Sequence, residues 1–533
     1  MAEELEKWIA TSNGAFNINL VRPSTKPYDS QRILEEPFHP DFTYAIFGED
    51  EAIFGYSDLE LNLDFRANDL KPSLDIRYSE KWKPIGETKA MDVKEMLKGF
   101  LPDYTLDASL KPTEIPGPDA TSNSWKPPGK LLQSYSLHGK KFEIWSASLS
   151  DPTAKEMFRR IQILVPFYIE GGTCQNLDDQ AWTMERWTLF LLYEVTPLRN
   201  TASISPYSIV GFATSYRLWV FPTFEILSAT HSIPTSATND STAYIPPALP
   251  TDPTTHKYST SYNPLDAQSR ERISQFIILP PYRGQSHGHH LYSVMFSTFI
   301  STPNIYEITV EDPNEAFDDM RDYADILYLR TLPSFAALAL PTTLPPATLA
   351  KTAEIPVDLI FGSDATLTAL RHESKISPRQ FSRMLELHLL STIPARHRVT
   401  ARITRKEKSA DPNDRKFYFW RLALKERLYR HNLDQLAQME PSERIERVEA
   451  VAKAVEDEYA RLLVGVEKRG RWAASVTLGN GSASDGVGGS AARGKRKKRV
   501  VDEDEDDEDD GEEEEEGERE REIVAAKRPK VSS

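Results

Sequence analysis

The sequence predicts a mixed α/β fold of the α+β kind, and three observations predict it. Within residues 274–321 a short apolar run, a glycine-bearing turn, an amphipathic stretch and a second β-rich run follow one another. Ahead of them, residues 185–194 and 208–216 form two apolar, β-rich runs separated by a turn, and beyond residue 330 the periodicity turns helical.

The first run, Phe276, Ile277, Ile278 and Leu279, predicts a short strand buried on both faces. Pro280 and Pro281 end it. Neither has an N–H for a sheet ladder, so the strand is expected to stop or splay from its neighbour at this pair and open a gap for a flat ligand. Tyr282, Arg283, Gly284, Gln285, Ser286, His287 and Gly288 then supply two glycines, a cation and a row of amides ahead of a helix. Leu291, Val294, Met295, Thr298 and Phe299 fall on one face of that helix. The free N–H groups and positive dipole end of its first turn suit a pyrophosphate.

Residues 305–310 alternate as a second strand, with Glu311 at its exit. Asp312, Pro313, Asn314 and Glu315 predict a helix start with Asp312 as N-cap and Pro313 first in the helix. Glu311 is thereby fixed between strand and helix.

Earlier in the chain, Glu49, Asp50 and Glu51 cluster between strand-like segments, either as a solvated turn or as fixed anions that concentrate a cationic ligand. Residues 91–101 predict a short helix, 112–129 a loop, and 154–168 a helix ended by Gly171 and Gly172. Glu185 opens the first of the paired strands. Tyr216, Arg217, Leu218, Trp219, Val220 and Phe221 form an aromatic run, the usual composition of a core. Residues 223–270 are Ser, Thr, Pro, Asn and Asp with few apolar positions, which predicts an inserted mobile loop.

The later chain predicts a helix opened by a capping box at Ser377, Pro378, Arg379 and Gln380, and a long helix over 414–438 with Phe417, Trp420, Leu424 and Leu428 on one side. Ile445, Val448, Ala452, Val455, Tyr459 and Leu462 keep heptad spacing, as in an intramolecular helix pair.

At 533 residues the chain has room for two or three domains. The expected division is a mixed N-terminal domain over 1–149, a ligand-binding domain over 150–330 interrupted by the 223–270 loop, a helical domain over 331–469 and a disordered tail over 470–533. No apolar run approaches the roughly 18–20 residues that span a bilayer, and the start MAEELEKW lacks the basic-then-apolar order of a secretory signal. The single cysteine, Cys174, excludes an intrachain disulfide and suits a reducing compartment. Of the net charge of −16, residues 502–522 with 17 acids and two arginines carry −15, which leaves about −1 for the rest. Lys495, Arg496, Lys497, Lys498 and Arg499, with Lys527, Arg528 and Lys530, read as nuclear import addresses, since the acidic block between them would repel a nucleic-acid backbone. That block either attracts a basic partner or keeps the tail solvated.

Arg283, Gly284, Gln285, Ser286, His287 and Gly288 resemble the acetyl-CoA signature of the GNAT acetyltransferase superfamily, with Ser286 in place of the central glycine. The fuller ILPPYRGQSHGHHLY and ITVEDPNEAFDDMRD resemble the catalytic subunits of type B histone acetyltransferases, and the likeness runs over about residues 8–463. The resemblance implies a GNAT fold and an acetyl-CoA-dependent lysine acetyltransferase with no metal. Backbone groups at Phe276, Ile277 and Ile278 would take the pantetheine, Arg283 to His289 the pyrophosphate, and Asn314 and Tyr323 would lie near the coenzyme. Glu311 is the expected base, with Asp312 behind it and Glu185 a further candidate. Asp50, Glu51, Tyr216, Arg217, Leu218 and Trp219 would meet the peptide. The implied substrate is the N-terminal tail of newly made histone H4, with histone H3 and a WD-repeat histone-binding subunit as partners. No membrane or nucleic acid is implied, and the implied location is nucleus and cytoplasm. The alternatives are a GNAT enzyme for another amine, such as a polyamine, and a non-enzymatic histone carrier that uses the acidic tail.

Overall fold

The computed structural model describes residues 6–23, 31–113, 115, 119–196, 204–221, 223–233, 251–257, 264–350 and 352–479, with backbone alone from 468. The basic clusters and acidic run of the tail, and residues 234–250 and 258–263 of the expected insertion, lie outside the described residues.

The N-terminal part holds a three-stranded sheet, with β1 (Phe16–Val21) parallel to β2 (Glu60–Arg66) and β2 antiparallel to β3 (Pro72–Arg77). Leu61, Leu63 and Phe65 alternate with more exposed residues along β2 and enter the core beside Phe16, Ile18 and Leu20.

The second sheet has six strands: β4 (Lys130–Leu137), β5 (Lys140–Ser148), β6 (Trp187–Val195), β7 (Tyr207–Trp219), β8 (Ser269–Ile278) and β9 (Ile305–Val310). They lie side by side in chain order. Every pair is antiparallel except β8 with β9, which is parallel. β4 and β5 close through His138 and Gly139 at φ of 50° and 76°, a two-residue turn whose twist matches its strands. The domain break expected near Ser150 falls inside this sheet, because Ser148 of β5 pairs with Thr188 of β6. The local signal there is a helix start. Asp151 accepts from the amides of Thr153 and Ala154 at 2.8 and 3.0 Å and opens α1 (Pro152–Ile161). Two short helices follow, α2 (Leu164–Tyr168) and α3 (Ala181–Glu185), so the helix expected over 154–168 is broken in two.

The segment expected as a mobile loop is structured at both ends. It opens with α4 (Phe224–Ala229), whose Glu225 accepts from Tyr306 and Arg371 at 2.9 and 2.8 Å, and it closes on β8, which starts at Ser269. The crossover from β8 to β9 is α5 (His287–Ile300), and α6 (Glu315–Leu329) follows β9.

Helices fill the remainder, chiefly α7 (Asp364–Ser374), α8 (Pro378–Ser391), α9 (Pro412–His431) and α10 (Pro441–Gly479). The capping box expected at Ser377 does not form; Ser377 makes no side-chain cap, and Gln380 turns inward to donate to Asp322 and Asp325 of α6 at 2.9 and 3.0 Å. The heptad stripe packs within the chain from Ala452 onward while Ile445 stays exposed, with Tyr459 against Trp420 of α9 and Arg421 paired to Glu449 and Glu456. α10 continues past Gly470 to Gly479, since one glycine among Arg471, Trp472, Ala473 and Ala474 costs a helix only about 1 kcal/mol. Residues 1–473 form one compact unit. Among the described residues no helix is long and apolar enough to cross a membrane.

Candidate active site

β8 is where the site originates, and its two halves differ. Along the first half β9 pairs with it in parallel as far as Ile273 opposite Val310, and the Glu311 amide closes the ladder on the Ile273 carbonyl at 2.9 Å. No residue of β9 pairs with 274–278. On the other side β7 continues to Ile278, but its register slips between Thr214 and Ser215 and leaves Ser274 as the extra, unpaired residue. Such a bulge bends the strand and re-aims its groups.

The gap therefore opens at Ile273, ahead of the proline pair that the sequence singles out. The cause lies in the neighbour: β9 ends at Val310, Asp312 takes a left-handed φ of 36°, and the chain leaves for α6. Pro280 and Pro281 end β8 in a single 3₁₀ turn. Nor is the strand buried on both faces. Ile277 and Leu279 are buried, while Phe276 and Ile278 are half-exposed.

The turn beyond β8 has the backbone of an anion cradle. Gly284 lies at φ 74° and Ser286 at φ 67°, and α5 begins at His287. The left-handed region costs a residue with a Cβ about 1 kcal/mol or more, which explains why the resembled signature carries glycine where this chain has Ser286. Gly288 is needed for close packing, because a Cβ there would stand 3.0 Å from Met320 Sδ of α6 and 3.7 Å from both Phe276 and Ile278.

Several side chains expected at the coenzyme are committed to the protein. Arg283 donates to the Ile278 carbonyl at 3.2 Å, pairs with Asp41 at 3.0 Å and lies over the Tyr168 ring. Gln285 donates to the Pro281 carbonyl at 3.0 Å. His287 is buried between Tyr135, Phe142 and Tyr282, with Nδ1 2.9 Å from the Tyr135 hydroxyl. Burial, helped by the neighbouring His290, pushes the imidazole down to about 4, so it is neutral at pH 7. What the turn offers an anion is chiefly the run of amides from Gly284 to His289. With the uncovered edge of β8, that suits a thioester coenzyme with an amide-rich arm and a pyrophosphate.

Glu311 is exposed at the mouth of the gap, and Ser274 donates to its Oε2 at 2.7 Å. Asp312 beside it does not cap α6. The N-cap is Asn314, whose Oδ1 accepts from the Phe317 amide at 2.9 Å, so capping does not occupy Asp312 and Asn314 already has a structural task. Glu185 ends α3 rather than opening β6, which starts at Trp187. β7 and β8 lie between its strand and that of Glu311, and Glu185 precedes the start of β6 whereas Glu311 follows the end of β9, so the two carboxylates are not neighbours in the sheet. Tyr323 is half-buried with its ring against Gly465 of α10, where a Cβ would come within 2.5 Å of its hydroxyl.

On β7, Tyr216 stacks on Trp187 at 4.5 Å between centroids, and Arg272 of β8 lies over its ring. Arg217 pairs with buried Glu271 at 3.3 Å, Leu218 is half-buried, and Trp219 is exposed beside Phe221. This aromatic run is a surface at the end of the sheet more than a core. Asp50 is exposed, whereas Glu51 clasps its own loop, accepting from the amides of Thr43 and Tyr44 at 2.5 and 3.1 Å and from Asn13 at 3.0 Å. Burial opposes its charge, but those bonds outweigh burial and hold the carboxyl below its usual range.

Ser274, Arg272, Trp187 and Asp41 are the site residues that sequence reasoning misses. The one signal for the first two was their place in SRERISQ, a polar run that looks like loop until its pairing is seen. Among the described residues the single group with metal-type ligands is His397, Asp411 and Asp414. There Asp414 Oδ1 already meets His397 at 2.7 Å and Arg402 at 3.0 Å, which marks an ion-pair cluster.

Comparison with known proteins places the chain among relatives along most of its length. A family model described as the N-terminus of histone acetyl transferase HAT1 matches residues 8–170. A protein of Aspergillus fumigatus named histone acetyltransferase type B catalytic subunit is 37% identical over 484 residues, covering 87% of this chain and 78% of that one. Proteins of the same name are 36% identical in Gibberella zeae, covering 89% and 94%, and 31% identical in Candida albicans, covering 86% and 90%.

Proposed function

The chain belongs to the family of histone acetyltransferase type B catalytic subunits, and on that premise we propose that it carries the acetyl group of acetyl-CoA to lysines in the N-terminal tail of newly made histone H4. The observation that carries this reading is the uncovered edge of β8 beyond Ile273, with Glu311 standing at its mouth.

A free lysine has a pKa of about 10.4, so roughly one amine in a thousand is neutral at pH 7. Glu311 takes the ammonium proton, directly or through a water. The neutral amine then forms the C–N bond as the C–S bond breaks, the sulfur leaves with the electron pair, and the thiolate takes up the second amine proton to give the free thiol and the amide. Amides of the uncovered β8 edge hold the pantetheine and the developing oxyanion, and the amides from Gly284 to His289 hold the pyrophosphate. Asp312 and Glu185 are secondary proton acceptors. Tyr216 and Trp219 pack the lysine stem, and Asp50 draws the basic tail.

Histone H3 and a WD-repeat histone-binding subunit are proposed partners, with nucleus and cytoplasm as the location. The test is mass-spectrometric acetylation of a histone H4 tail peptide against a polyamine panel. Peptide acetylation at the tail lysines is expected. Polyamine acetylation alone would move the enzyme to another amine, and histone binding without any turnover would leave a carrier.

A further inference from the structure

Three arginines lie along β7 and β8 beside the gap, Arg270 and Arg272 on one face of the sheet and Arg217 on the other, and they are not alike. Arg217 is paired with Glu271 at 3.3 Å and Arg270 with Glu307 at 2.8 Å. Arg272 has no carboxylate within 4.0 Å among the described residues. Its guanidinium is tethered only by long bonds, 3.5 Å to Thr309 Oγ1 and 3.4 Å to the Tyr216 hydroxyl, and lies 6.0 Å over the Tyr216 ring.

The place of that unpaired charge matters. Thr309 and Glu311 are two residues apart along β9 and its exit, so they share a face of the sheet at a step of about 7 Å. A lysine amine presented to Glu311 would therefore sit about that far from a fixed cation. The other titratable groups around this corner are Asp312 after β9, Tyr216 on β7, and Glu185 with Arg186 ahead of β6; Glu271 is turned to the opposite face with Arg217.

We propose that Arg272 is a positioning residue that holds the acceptor lysine in its neutral, nucleophilic form by placing an uncompensated positive charge beside it. The proposal rests on the reading of this gap as the site of acetyl transfer. The balance is simple: the ammonium proton leaves to Glu311 or to solvent, and like-charge repulsion from Arg272 makes that loss easier. The aromatic stack of Trp187 and Tyr216 keeps the guanidinium in place without neutralising it, as a carboxylate would.

The test is the pH dependence of kcat at saturating acetyl-CoA and histone H4 tail peptide, which reports ionisations within the ternary complex. A unit charge about 7 Å away moves a pKa by about 0.5 to 1.5 units, so Arg272→Gln should shift the acid limb up by that much and lower kcat at pH 7 about three- to thirtyfold. The alkaline plateau should be kept, and Arg272→Lys should lie near the wild type. In a Glu311→Gln background the shift from Arg272→Gln should persist, because the amine must still lose its proton. An acid limb that stays in place, or a shift that vanishes without Glu311, would overturn the proposal. Wild-type turnover in Glu311→Gln alone would instead remove Glu311 as base and leave the Arg272 shift to be judged by itself. Calorimetric titration with acetyl-CoA checks that each variant is folded; should Arg272→Gln fail there, Arg272→Met keeps the stem over Tyr216 and carries the same test.

Discussion

The two halves of β8 are one strand with one alternation, yet they do opposite work. Ser269 to Ile273 is flanked on both sides and spends its buried carboxylate on the fold: Glu271 takes the Ser215 hydroxyl at 2.6 Å and pairs with Arg217. From Ser274 to Ile278 one neighbour is missing among the described residues, and the open edge leads to the turn and to Glu311, the groups proposed to serve acetyl transfer. The difference teaches that function here begins where a ladder ends. A backbone edge stripped of its partner in a packed protein must find another, and a coenzyme arm rich in amides is such a partner.

The comparison is broken most severely at the open half. Glu311→Gln is expected to lower kcat about a hundredfold or more near pH 7, with partial recovery in alkali and unchanged acetyl-CoA affinity by calorimetry. Gly211→Ala attacks the same half from β7, since its Cβ would fall 2.5 Å from the Ile277 carbonyl oxygen. A loss of about 3 kcal/mol in denaturant stability, together with a raised acetyl-CoA KM, is expected there.

In the closed half, the buried pair of Glu271 and Arg217 should respond in stability alone. Glu271→Ala leaves Arg217 without its carboxylate and is expected to cost about 2 kcal/mol in a urea titration while kcat per folded molecule changes less than about threefold. Loss of turnover out of proportion to folding would erase the distinction between the halves.

Smaller effects lie in the turn that follows. The folded imidazole of His287 is lowered from 6.5 to about 4, so its contribution to stability is complete above pH 6.5 and is lost as pH falls toward 4. His388 titrates over the same window, so His287→Gln should flatten only part of the acid-side fall in urea midpoint between pH 7 and 4.5. Smallest of all, Ser286→Gly relieves a left-handed φ of 67° but frees the unfolded chain, and should change stability by less than about 1 kcal/mol with acetyl-CoA binding at least as tight.

Much of this was legible in the letters. Alternation and helical periodicity located β9, α5 and the helices after residue 330, and the glycines with the run ITVEDP pointed to the turn and to Glu311. Less was legible where a residue's role depends on a distant partner. Asp312 has the letters of a cap but Asn314 performs it, and Glu51 looks like a free anion but serves its own loop. Gln380 has the spacing of a capping box and instead reaches α6.

The sequence by itself determined the strand, turn, helix and strand around residues 276–310, the place of Glu311 at a strand exit, and the family resemblance, because local sterics and patterning act on neighbours in the chain. Only the tertiary structure decided that the sheet recruits β4 and β5 across the expected break near Ser150, that the gap opens at Ile273 and not at Pro280, and that Arg272 has no paired carboxylate among the described residues. Those depend on which strand lies beside which, and for how many residues the pairing lasts, and such pairing energy is shared between residues far apart in the chain.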